Sequence, residues 1–291
     1  MEIFLQQLIN GISLASIYVL VSIGITLIFG LTGLVMFAHG ELLMLGAFIT
    51  WVAVENNIGF GVGLALATII VGIIGLLLER GLFQFTLVSP VNGFIVSLGL
   101  VMVIQHVAVQ LWSGQVRFIP RPIDHVWDLG GIRLTAARSL VVAATAVLVL
   151  ITFVILKRTR YGRALRAISE NREAASLMGV PVRRYITVTF LVGCAAAGLG
   201  GSLLIALFPV SPFIGKQFVI KGFAVALIGG LGNVGGAVIG ALILGTVEAL
   251  SAGYLASQWT DAYAFMAMVL IILIRPQGIL RGSQGASIRE I

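Results

Sequence analysis

The chain has 291 residues, of which 59% are apolar and 10% charged, and a mean hydropathy of +1.11. Soluble domains hold roughly 45–50% apolar and about 25% charged residues, so the composition excludes a soluble globule and requires a polytopic membrane protein. A single cysteine, Cys194, excludes an internal disulfide and a cysteine-built metal site.

The net charge of +7 is concentrated in one place: between Lys157 and Arg184 stand eight basic residues and two acidic ones. The pI near 10.2 therefore marks a basic loop, not a nucleic-acid surface. By the positive-inside rule, loop 157–184 lies in the cytoplasm.

Charge-free runs place spans near 7–30, 34–54, 60–79, 92–112, 138–157, 186–208, 219–230, 236–256 and 260–275. The piece at 219–230 is too short to cross alone and reads as a half-helix. The expected fold is one all-α domain over 1–291, with about 8–10 transmembrane or half-membrane helices. Alternation from the basic loop puts 113–137 outside, with Pro120, Pro122 and Asp124. It puts the N-terminus outside and the C-terminus inside, with Arg275, Arg281 and Arg289. The first residues lack the basic start and small-residue cleavage site of a signal peptide and read as a retained span.

Asn10, Ser13, Ser16, Ser22 and Thr26 recur along the first span, a pattern that favours interhelical hydrogen bonding over a polar path. The second span opens with Phe37-Ala38-His39-Gly40-Glu41. An imidazole and a carboxylate at a bilayer are costly unless paired or hydrated. His39, Gly40 and Glu41 thus form either an interfacial pair or the mouth of a broken helix lining a pathway.

Within the basic loop, Gly162 to Met178 reads as one helix closed by Gly179. Arg163, Arg166, Glu170 and Glu173 share one face, and Leu165, Ile168, Arg172 and Ala175 the opposite one. Such a helix is either a solvated linker or a docking element for a cytoplasmic partner.

Further on, the Gly-dense run Gly229 to Gly236 includes Gly230 and Gly232. It reads as a turn between spans, followed by Gly-mediated packing at Gly236 and Gly240. Leu27 to Gly33 looks like Leu227 to Gly232, which suggests an internal repeat. Glu248 is a lone carboxylate in an apolar span. Either it has a functional partner, with Lys221 the candidate, or it sits near the outer interface beside Ser251.

No phosphate-binding loop, catalytic constellation or metal-ligand spacing occurs, and His39, His106 and His125 lie in separate segments. No cofactor and no enzymatic activity are expected of this chain. Any ATP must be bound by another one.

The strings Phe37-Ala38-His39-Gly40-Glu41, Tyr161-Gly162-Arg163-Ala164-Leu165-Arg166-Ala167, Glu170-Asn171-Arg172-Glu173-Ala174-Ala175, Met178-Gly179-Val180 and Arg275-Pro276-Gln277-Gly278 resemble, in order, the permeases of branched-chain amino acid ABC importers. The chain is comparable to the shorter permease of such a system. The resemblance implies a bacterial inner-membrane protein with a second, homologous permease, two cytoplasmic ATPases and an extracytoplasmic solute-binding protein. It also implies that loop 157–184 docks on an ATPase. Arg163, Leu165, Arg166, Ile168, Asn171, Arg172, Ala175 and Gly179 would be the coupling positions, with Ala175 facing the ATPase surface. Permeases for urea and short amides share the fold. A self-contained secondary transporter is the rival, and Glu41 and Glu248 are its candidate ion sites.

Overall fold

The computed structural model describes residues 2–87, 89–119, 126–129, 132–255 and 257–280. Pro120, Pro122, Asp124, His125, Arg281 and Arg289 lie outside these. Eleven α-helices run along the described residues: α1 (Glu2–Thr32), α2 (His39–Glu55), α3 (Phe60–Gly81), α4 (Pro90–Trp112), α5 (Ala136–Arg158), α6 (Arg160–Glu170), α7 (Arg172–Leu177), α8 (Val182–Ile205), α9 (Ile214–Gly229), α10 (Val234–Tyr254) and α11 (Thr260–Ile274). One antiparallel hairpin, β1 (Val126–Leu129) with β2 (Ile132–Thr135), interrupts them. The protein is an all-α polytopic membrane protein.

Six helices, α1, α3, α4, α5, α8 and α10, are long and apolar enough to cross a membrane. The other three apolar helices, α2, α9 and α11, have 17, 16 and 15 residues. At ~1.5 Å per residue they fall short of a ~30 Å hydrocarbon core. Helices α1 and α8 are mostly buried and form the centre, whereas α3, α4 and α5 expose most of their apolar surface. Around that centre, α1 packs on α8, α9 and α10, and α8 packs on α2 and α3.

The centre closes through glycine. An added Cβ at Gly201 on α8 would stand 1.9 Å from the Leu43 carbonyl oxygen of α2. One at Gly46 on α2 would stand 2.4 Å from the Gly198 oxygen of α8, and one at Gly245 on α10 would stand 2.7 Å from the Ala15 nitrogen of α1. Backbones this close gain dispersion contacts that replace the hydrophobic drive missing between helices in lipid.

Two expectations are corrected. The span read at 34–54 is helical only from His39, because Gly33 leaves α1 with a φ of +65° and the chain then runs on without helix. The helix read from Gly162 to Met178 is two helices. At Asn171 the backbone is extended (φ −154°, ψ 110°), and its side chain accepts the Ala174 N–H to start α7. Asparagine caps a helix N-terminus better than it continues one.

Candidate functional site

Three features gather the chemistry of the chain. The first is the α6–α7 segment. Thr159 caps α6 by accepting the Gly162 N–H at 3.2 Å. Gly162 packs so closely on the Leu156 carbonyl that a Cβ would stand 2.1 Å from its oxygen, and this sets the sharp turn out of α5. Leu165, Ile168 and Ala175 are buried together against Leu31 at the end of α1. The Arg172 guanidinium donates to the Leu31 carbonyl, and burial pushes its pKa below the ordinary value. Tyr161 stacks on Tyr185 with ring centroids 5.0 Å apart, and its hydroxyl meets Thr189 Oγ1 at 3.0 Å. Burial raises the Tyr161 pKa.

These contacts show where one face of the segment packs. Leu165, Ile168, Arg172 and Ala175 do share a face, but it is turned inward onto their own chain. Ala175 is 5% exposed and lies under Leu31. The outer surface carries Arg163, Arg166, Asn171 and Gly179, together with two apolar residues not counted among the expected coupling positions, Leu177 and Met178. These are 88% and 84% exposed. Gly179 has a φ of +82°, and the Gly179 N–H to Ser176 O and Val180 N–H to Ala175 O bonds close α7 behind them. An apolar pair held at the tip of a capped helix, in an otherwise charged loop, was visible in the sequence as Leu177-Met178-Gly179. Its exposure was not.

The second feature is the start of α2. A Cβ on Gly24 of α1 would lie 2.5 Å from the His39 ring and 2.6 Å from the Gly193 oxygen of α8. Gly24 stands eight residues before Thr32 and Gly193 eleven after Val182. His39 therefore lies ~12–16 Å in from those helix ends, within the bundle. Helix α2 begins inside the bundle, and the chain reaches it from α1 through residues 33–38, which lie outside both helices. The Ala38 N–H donates to Ser97 Oγ of α4 at 2.9 Å, which satisfies a donor buried at this backbone break. Gly40 abuts Gly215 at the start of α9, so two short helices meet N-terminus to N-terminus. Glu41 lies at this junction, 1% exposed, and accepts the Gln105 Nε2–H at 2.9 Å. His39 is fully buried.

The third feature is a buried ion cluster. Lys221 Nζ of α9 stands 2.5 Å from Glu248 Oε1 of α10 and 2.9 Å from Asp261 Oδ1 of α11. Tyr18 of α1 donates its hydroxyl to Glu248 Oε2 at 2.6 Å. Lys221 and Glu248 are buried, while the Asp261 side chain is 55% exposed. The Lys221 partner expected for Glu248 is present, and Ser251 Oγ also donates to the Glu248 carbonyl at 2.9 Å. Four helices are tied by this cluster.

The Gly-dense run is the α9–α10 turn. Gly230 and Gly232 take φ values of +101° and +85°, and Gly236 packs on Gly229. Gly30 abuts Gly232, so the two segments compared as a repeat touch at one end of the bundle. Among the described residues, no group of His, Cys, Asp and Glu is placed to hold a metal.

The sequence model of the family described as "Branched-chain amino acid transport system / permease component" matches residues 7–274. The chain belongs to this permease family. The permease is 31% identical to the high-affinity branched-chain amino acid transport system permease protein LivH of Salmonella typhimurium, over 95% of each chain. It is 30% identical to the corresponding BraD of Pseudomonas aeruginosa, again over 95% of each. The LivM permease of Escherichia coli is 25% identical over 92% of this chain and 68% of its own. No solved structure matches the permease. In this family the chain is a transport component, not itself an enzyme.

Proposed function

We propose that this permease is a membrane-spanning subunit of an ATP-binding-cassette importer for branched-chain or related amino acids. Two cytoplasmic ATPases, a second homologous permease and an extracytoplasmic solute-binding protein complete the assembly, in a bacterial inner membrane. The whole-length similarity to LivH and BraD, whose names carry that substrate class, supports the substrate. The similarity to LivM supports a paired permease.

The observation that carries the mechanism is the α6–α7 segment. Its inner face is locked to Leu31 at the end of α1, and its tip presents Leu177 and Met178 to solvent. Closure of the ATPases would push on that tip. The push would pass through Arg172 to α1, which is buried at the centre of the bundle and shares the Glu248–Lys221 cluster. Substrate released by the binding protein would then pass by alternating access between the two permeases. The basic segment lies inside and the N-terminus outside in this reading. The structure places Glu2 and the α6–α7 segment at opposite ends of α1, and residues 275–280 against the α9–α10 turn at the α6–α7 end.

A self-contained secondary transporter needs an ion site of its own. Glu248 is already paired with Lys221 and hydrogen-bonded by Tyr18, which disfavours it for that role. The deciding experiment is uptake of leucine, isoleucine and valine into vesicles holding the permease pair, with and without the ATPases and ATP. Uptake only with both is expected. Uptake driven by an ion gradient in their absence would overturn the reading.

A further inference from the structure

A groove of about 1190 Å³ opens where α3 ends and α8 begins, on the same side as the α6–α7 segment. Its wall holds four arginines, Arg80, Arg172, Arg183 and Arg184, and no carboxylate. Two of these are engaged: Arg172 with the Leu31 carbonyl, and Arg183 with Gln84 Oε1. Arg80 and Arg184 are exposed, and neither guanidinium has a hydrogen-bond or ion-pair partner among the described residues. Glu79, the neighbouring acid, is buried beneath the wall and bound by Thr187 Oγ1 at 2.8 Å. Glu79 itself does not line the groove.

Besides Gln84, Ser176 and Thr187, the rest of the wall is apolar and follows the two membrane helices, with Leu76 on α3 and Ile186 and Val188 on α8. Phe85 stands at the rim, 73% exposed. The groove thus joins a cluster of free cations at a membrane–water boundary to an apolar track running into the bilayer.

We propose that this groove is a binding site for an anionic phospholipid. The phosphodiester pairs with Arg80 and Arg184, and an acyl chain lies along Leu76 and Val188. Basic pockets between transmembrane helices at the membrane surface take anionic headgroups, because each arginine there both pairs with phosphate and sits in the negative surface potential. A free phosphate would satisfy the arginines and leave the apolar track bare. A purely acidic segment of a protein partner would do the same. A phospholipid fills both. Arg172 and Val180 also line the groove, so the lipid would brace the α6–α7 segment against α3. The proposal rests on the membrane-spanning fold alone, and stands whether or not α6–α7 docks on an ATPase.

The test is lipid retention by the assembled transporter, purified in neutral detergent. The complex is equilibrated with phosphatidylglycerol or phosphatidylcholine of the same acyl chains, and retained lipid is counted by native mass spectrometry. Preferential retention of phosphatidylglycerol is expected. It should weaken on the order of thirty-fold in the Arg80→Gln/Arg184→Gln double variant. An Arg158→Gln/Arg160→Gln variant, outside the groove, should retain lipid as wild type does.

Equal retention of the two lipids overturns the proposal, as does unchanged retention by the groove variant. Two further outcomes reassign the groove. Stabilisation by inorganic phosphate that depends on Arg80 and Arg184, without phosphatidylglycerol retention, makes it a soluble-anion site. Retention by the permease alone that is lost in the full complex gives the groove to a protein partner.

Discussion

Lys221 and Glu248 stand 2.5 Å apart across α9 and α10, both withdrawn from solvent, and each has a further partner of different quality. Lys221 also meets the half-exposed Asp261, whereas Glu248 has only the Tyr18 hydroxyl. The pair is therefore asymmetric. Removing the carboxylate leaves the ammonium with Asp261, while removing the ammonium leaves a buried carboxylate with no cation.

This asymmetry sets the first prediction. Lys221→Met should destabilise the permease by about 3–5 kcal/mol, the usual result of stranding a buried charge. Glu248→Gln should cost less, about 1.5–3 kcal/mol, as for loss of hydrogen bonds to a charged group. The Lys221→Met/Glu248→Gln double variant should regain most of the loss, since glutamine still accepts from Tyr18 and no charge is stranded. Thermal unfolding of the purified permease checks the order. A double variant less stable than Lys221→Met would show that the cluster is not held together by this pairing.

Much of the architecture was readable from charge and hydropathy because a bilayer allows few solutions. Helices must close their own backbone bonds, and charge-free runs mark them. The places that escaped were those decided by one residue's backbone or by tertiary packing. Gly33 ends α1 and delays α2 to His39, although residues 34–38 are as apolar as the helix they were assigned to. Asn171 breaks the loop helix because its side chain caps better than its backbone continues. Periodicity grouped Leu165, Ile168 and Ala175 correctly but carries no sign for which neighbour the face meets. Leu31, 134 residues before Leu165, supplied that answer. The Lys221–Glu248 contact was within reach as the natural pairing of two lone charges in apolar spans. Asp261 and Tyr18 were not.

The glycine contacts give a second prediction. Gly201→Ala would drive a Cβ to 1.9 Å from the Leu43 carbonyl, and a backbone oxygen in a packed helix cannot swing aside as a side chain can. The helices must part, at about 1–3 kcal/mol or more, and protein in the membrane should fall. Gly99→Ala on α4 meets nothing within 4 Å and should be neutral, or stabilising by up to ~1 kcal/mol through helix propensity. Equal membrane amounts of the two variants would mean that α2 and α8 do not pack as described.

Sidedness supplies the third. Cys194 is fully buried and can stay as it is. Leu177→Cys and Val116→Cys introduce thiols at exposed positions at opposite ends of the bundle. In intact cells an impermeant thiol reagent should label position 116 and spare 177, and both should react once the membrane is opened. Labelling of 177 in intact cells would place the basic segment outside and remove it from any cytoplasmic partner.

The last prediction separates anchoring from docking within one short segment. Ala175 lies under Leu31, so Ala175→Trp inserts a large ring into a closed cluster and should dislodge α6–α7 from α1 whether or not a partner exists. Gly179→Val forces a β-branched residue to a φ of +82° and should loosen the cap of α7 for a similarly local reason. Neither change isolates docking. Leu177 and Met178 do, because side chains so exposed touch little of their own chain, and surface substitutions are usually within ±0.5 kcal/mol. Leu177→Asp/Met178→Asp should leave melting and membrane amount unchanged while lowering uptake at least tenfold. It should also weaken capture of the ATPases, since interface anchors of this kind each contribute about 2 kcal/mol or more. Wild-type uptake and ATPase capture by this double variant would show that the exposed tip carries no partner, and that α6–α7 serves only to brace the end of α1.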